Sequence, residues 1–153
     1  MKKILVAAND TKGSERAVTR FIDMFSSCHP ETVVLLYVET YDASFLMDEM
    51  LGDSEFAALK EALRGTEYQE NLHKRAKKII DYYKKVMENK GITGIETVVK
   101  IGHAAEEILN TAKEEDVDMI VMGSRGNRFE PLMMGSVSRE VANSANLPVL
   151  LIK

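Results

Sequence analysis

Asp118-Met119-Ile120-Val121-Met122-Gly123-Ser124-Arg125-Gly126 begins as an apolar run and ends in a glycine loop. Eight residues, Asn127 to Met134, then lead to Gly135-Ser136-Val137-Ser138, which opens a helical pattern. A run such as Ile120-Val121-Met122 has no alternation of apolar and polar residues. It therefore suits a strand covered on both faces, as in a parallel sheet, and not one with a wet face. Val33-Val34-Leu35-Leu36 reads the same way. Working outward, strands are expected at Lys3–Ala8, Thr32–Val38, Ile95–Ile101, Asp118–Met122 and Val149–Ile152, of which only Ile95–Ile101 approaches alternation.

Between these strands lie apolar stripes at spacings of three and four. Ser14–Ser27 carries Ala17, Val18, Phe21, Ile22 and Phe25 on one face, and Tyr68–Met87 carries Leu72, Ala76, Ile79, Ile80, Tyr83 and Met87. Ala104–Lys113 and Ser136–Ala145 repeat the pattern. Parallel strands need such helical crossovers, and these are expected to be right-handed. Pro30, Pro131 and Pro148 fall at element edges or loops, and Gly91 and Gly94 bracket a turn. The order βαβα(α)βαβαβ makes an α/β fold with helices on both faces of the sheet. Tyr41–Gly65 fits least well. It is acidic and rich in Met, and reads either as a short packed helix or as a lid or partner surface.

The composition narrows the function. The chain has 153 residues, one domain's worth, with 20 Lys+Arg against 24 Asp+Glu, a net charge of −4. An acidic chain with no basic stripe speaks against a nucleic-acid partner. The lone Cys28 cannot staple the chain internally, and no apolar run approaches the ~20 residues of a membrane span, so a soluble, cytoplasmic protein is expected.

Chemistry is expected at the glycine loop. Gly123, Gly126, Gly135 and Ser136 would let backbone N–H groups approach a phosphate, aided by a helix N-terminus. The same residues could simply turn the chain, with Ser136 or Ser138 capping a helix. Carboxyl ends of parallel strands are nevertheless where doubly wound sheets place their ligands. The first strand runs into Ala8-Asn9-Asp10-Thr11-Lys12-Gly13-Ser14, with neither a GxGxxG fingerprint nor a Walker A loop. Asn9 and Asp10 could bond a ribose or base edge, or Asp10 or Ser14 could cap the first helix.

Together these motifs resemble the universal stress protein superfamily across essentially the whole chain. The likeness rests on the glycine loop with Gly135-Ser136, on Leu147-Pro148-Val149-Leu150-Leu151-Ile152, and on Gly102-His103-Ala104-Ala105-Glu106-Glu107-Ile108-Leu109. The resemblance implies a Rossmann-like, five-stranded parallel sheet in the order 3-2-1-4-5. It also implies a homodimer through the last strand, Val149–Ile152. Some members bind ATP, and the ATP-binding pattern maps onto Gly123, Gly126, Gly135, Ser136 and Val137 for the phosphates. Met122 would lie by the ribose and Val38 by the adenine. Two departures stand out. Gly126 and Gly135 are one residue closer than in that pattern, and Asn9, with Asp10 next to it, stands where a carboxylate is usual.

The reading that follows is an ATP-binding stress-response module, with or without Mg2+, whose output passes through Tyr41–Gly65 to a protein partner. Its rivals are a non-nucleotide interaction dimer and a slow ATPase with Asp10 as its base. Arg125 is a further phosphate candidate, whereas Arg128 reads as a solvated loop cation and Glu130 would oppose a polyphosphate. Lys74, Arg75, Lys77, Lys78, Lys84 and Lys85 read as a solvated helix face, Cys28 as a buried thiol, and His103 as a surface or capping residue.

Overall fold

The computed structural model describes residues 2–40, 64–126 and 133–153, together with Ser54, Ala57, Ala58, Glu61 and Ala62. Most of Tyr41–Gly65, and Arg128 and Glu130, lie outside the described residues.

Five strands alternate with helices: β1 (Lys3–Ala7), α1 (Lys12–Phe25), β2 (Thr32–Glu39), α2 (Glu67–Asn89), β3 (Ile95–Ile101), α3 (Ala104–Glu114), β4 (Met119–Gly123), α4 (Ser136–Ser144) and β5 (Val149–Ile152). All pairings are parallel, in the order β3-β2-β1-β4-β5. The unbroken apolar runs take the central places, where both faces are covered: Ile4, Leu5, Val6, Val33, Val34, Leu35, Leu36, Ile120 and Val121 are fully buried.

Alternation along each strand divides the core into two layers. Ile4, Val6, Val33, Leu35, Tyr37 and Val121 pack on Val18, Phe21, Ile80 and Met87 of α1 and α2. Leu5, Ala7, Val34, Leu36, Ile120 and Met122 pack on Ala105, Ile108, Ala112 and Val141 of α3 and α4. Removing one of these large side chains would cost roughly 2–5 kcal/mol. At the other end of the sheet, the Asp118 carboxylate accepts the backbone N–H groups of Lys2 and Lys3 at 2.6 and 2.9 Å, clamping the starts of β1 and β4 together.

Element ends differ from the sequence pattern for local reasons. The first helix begins at Lys12, because neither Asp10 nor Ser14 caps it; Thr11 does, its hydroxyl accepting the Ser14 N–H. β4 extends through Gly123 because that residue still pairs with Ile152. Cys28 is exposed, contrary to the expected burial, since it follows the last apolar position of α1. Among the described residues no helix is long and apolar enough to cross a membrane.

Candidate functional site

β1 pairs with β2 on one side and with β4 on the other, so the chain's crossovers diverge at its carboxyl end. A cleft of about 470 Å³ opens at this switch point. Asn9, Val38, Met122, Gly123, Arg125, Gly126, Gly135, Ser136 and Val137 all line it, and Asp10 does not.

The glycine loop is held from both sides. The Ser124 carbonyl accepts the Gly135 N–H at 2.8 Å and the Ser138 hydroxyl at 2.7 Å, while the Ser124 N–H donates to the Ile152 carbonyl at 2.7 Å. Ser138 is thus a buried brace between loop and helix, not a helix cap. Gly135 occupies the cap position of α4 and among the described residues no side chain caps that helix, so no described side chain serves as capping acceptor for the N–H groups of its first turn.

The glycines serve two different needs. A Cβ on Gly13 would stand 1.6 Å from the Arg125 carbonyl oxygen, and one on Gly123 would stand 2.7 Å from the Gly13 oxygen. These two let the start of α1 lie directly on the loop. A Cβ on Gly126 would meet nothing nearer than Thr11 Cγ2 at 3.5 Å, and one on Gly135 nothing nearer than 3.4 Å. Among the described residues, nothing in the packing demands glycine at those two places. Gly13 escaped the sequence reading, because its need arises from a loop more than 110 positions away.

Asn9 is locked in place. Its Oδ1 accepts the Thr11 N–H at 3.1 Å, the Thr11 hydroxyl at 2.7 Å and the Ser14 hydroxyl at 2.7 Å. A backbone N–H can only donate, so this atom is the oxygen and the amide orientation is fixed. Asn9 N–H donates to Ser14 Oγ, and the Tyr83 hydroxyl donates to the Asn9 carbonyl, each at 2.9 Å.

Asp10, one residue on, belongs to another environment. It pairs with Arg75 of α2. That guanidinium stays on the exposed face to which the sequence assigned it, and gains an acidic partner there. Nearby, Glu39 is only 7% exposed and among the described residues its Oε2 has no hydrogen-bond partner. Burial pushes the Glu39 carboxyl above its ordinary value, against the hydrogen bond from Tyr37 and the charge of Arg75. Burial, reinforced by Glu39, raises the Tyr37 hydroxyl in turn.

The cleft itself is divided. Leu36, Val38, Ala104 and Ile108 supply an apolar end, and the glycine loop with the α4 N-terminus supplies a polar one. Among the described lining residues there is no Asp, Glu or Lys, and the charges are Arg125 and Arg139. His103 holds the cap position of α3 without a side-chain capping bond.

Residues 1–153 match the Universal stress protein family. The chain belongs to the universal stress protein family. It is 29% identical to Universal stress protein MJ0577 of Methanocaldococcus jannaschii over 99% of its own length and 94% of that protein's. The solved MJ0577 structure superposes with a TM-score of 0.77, covering 99% of this chain and 95% of that one. The same fold recurs in the universal stress protein from Archaeoglobus fulgidus in complex with dAMP, at TM-score 0.56 and 20% identity, covering 100% and 98% of the two chains. It recurs also in a universal stress protein in complex with cAMP, at TM-score 0.67 and 16% identity, covering 99% and 97%.

Proposed function

We propose that this universal stress protein binds ATP in the cleft at the ends of β1, β2 and β4 and acts as a stress-response module. The observation that carries the reading is the division of that cleft. A purine fits the apolar end between Val38 and Ile108, and a ribose lies within reach of Asn9 and Met122. Phosphates fit the opposite end, where uncapped N–H groups of α4, the open faces of Gly126 and Gly135, and Arg125 converge. Adenine nucleotides held by relatives of the same fold support the choice of base. No described carboxylate lines the cleft, so an accompanying Mg2+ would be held by phosphates and water.

Titration calorimetry of nucleotide-stripped protein tests this reading. Saturable binding of one ATP per chain is expected, with and without Mg2+. No heat and no thermal shift at millimolar ATP in either condition would overturn it and leave the interaction-dimer alternative.

β5 supports a second element of the proposal, a homodimer. Among the described residues it pairs only with β4, and Val149, Leu150, Leu151 and Ile152 are all half-buried. An apolar edge of this kind invites pairing with a second copy. Light scattering at micromolar concentration should give twice the chain mass, and a strictly monomeric mass would remove this part.

A further inference from the structure

Arg139 lies one helical turn into α4 and lines the cleft, yet its guanidinium forms no hydrogen bond or ion pair among the described residues. Several cations elsewhere are engaged, among them Arg75 with Asp10, Lys3 with Glu115 at 2.7 Å, and Lys100 with Glu114 at 3.4 Å. Arg139 stands three residues after Ser136, so both fall on the same face of the helix. Arg125 stands at the glycine loop, and the rest of the cradle beside it is made of backbone N–H groups, which are neutral dipoles. Such groups hold the phosphate nearest them, but they carry no net charge to reward each additional phosphate. A guanidinium does, and its planar fork can engage two oxygens of one phosphate.

We propose that Arg139 reads the length of the phosphate tail, pairing with the terminal phosphate beyond those held by the glycine loop and the α4 N-terminus. The inference rests on the nucleotide reading above. It makes the cleft selective for polyphosphates and turns its occupancy into a measure of phosphorylation state, not of total adenine nucleotide.

ATP, ADP and AMP are titrated by calorimetry into the full-length wild type, Arg139→Gln and Arg139→Lys. In Arg139→Gln the affinity for ATP should fall about tenfold while that for AMP changes less than about twofold, since only the terminal contact is lost. Arg139→Lys should recover part of the ATP affinity, because it restores the charge without the fork. Arg139 is exposed, so the thermal midpoints of both variants should match the wild type. Equal loss for all three nucleotides, or ATP affinity unchanged in Arg139→Gln, overturns the assignment while nucleotide binding stands. Failure of the wild type to bind any of the three removes both.

Discussion

Neighbouring residues at the ends of β1 and β2 face opposite sides of the sheet and meet opposite chemistry. Asn9 and Val38 line the cleft under α3 and α4. Asp10 and Glu39 turn to the α1–α2 side, where Arg75 and Tyr37 face them. A step of one residue decides which side chain sees a ligand, because alternate positions of an extended chain point to opposite faces. These two acids thus lie on one side, and the described residues lining the cleft on the other side include Arg125 and Arg139 but no Asp or Glu. This separation explains how a chain of net charge −4 can present a cleft without acids among its described lining residues.

The contrast can be broken most severely at the glycines that seat α1 on the loop. Gly13→Ala drives a Cβ into the Arg125 carbonyl, and the loss of stability by chemical denaturation should reach about 3 kcal/mol, the upper end of overpacking costs. Gly126→Ala makes the opposite prediction: folding stability holds or rises by up to about 0.5 kcal/mol, while ATP affinity falls. If both variants lost stability equally, the distinction between packing and ligand-facing glycines would be lost.

Asn9→Ala should cost roughly 1–3 kcal/mol, since it strands the three donors that converge on Oδ1. Denaturant midpoints would show it, and a loss under about 0.3 kcal/mol would contradict the locked geometry.

On the acidic side, Glu39→Gln should stabilise the protein at neutral pH by about 1 kcal/mol, the scale of one buried group lacking a partner. The sign follows from the raised value: the folded state holds the Glu39 proton more tightly than the unfolded state does. Wild-type stability therefore falls as pH climbs from the ordinary glutamate value of 4.5 through the raised one. The gap between variant and wild type should open across that interval and close below it. A gap independent of pH would show that Glu39 does not titrate as described. The smallest effect belongs to the half-exposed Asp10–Arg75 pair: Asp10→Asn should change stability by less than about 1 kcal/mol and leave ATP affinity untouched.

The fold was legible because its signals are local. Runs such as Val33–Leu36 announce a strand covered twice, and stripes such as Val18, Phe21 and Ile22 announce a helix packed on a sheet. Much of the cleft was legible for a related reason, since glycine–serine punctuation after β4 marks backbone open to a ligand. What escaped depends on contacts distant in sequence. The need for glycine at position 13 comes from the Arg125 carbonyl, and the partner that Arg75 meets on its exposed face is Asp10, in the loop after β1. Asn9 and Asp10 could not be ranked from residue type, because alternation separates them only once it is known which layer each position after β1 faces. Arg139 carries no signal in the sequence, since its place in the cleft follows only from how α4 meets the glycine loop.

The most direct test of the separated strand ends is an amide-resolved nuclear magnetic resonance titration with ATP. The account predicts shifts concentrated at Gly123–Gly126, Ser136 and Val137, with Asn9 and Val38 following, while Glu39, Arg75 and their neighbours in α2 stay still. Shifts centred on the α1–α2 side, with the glycine loop unmoved, would contradict it.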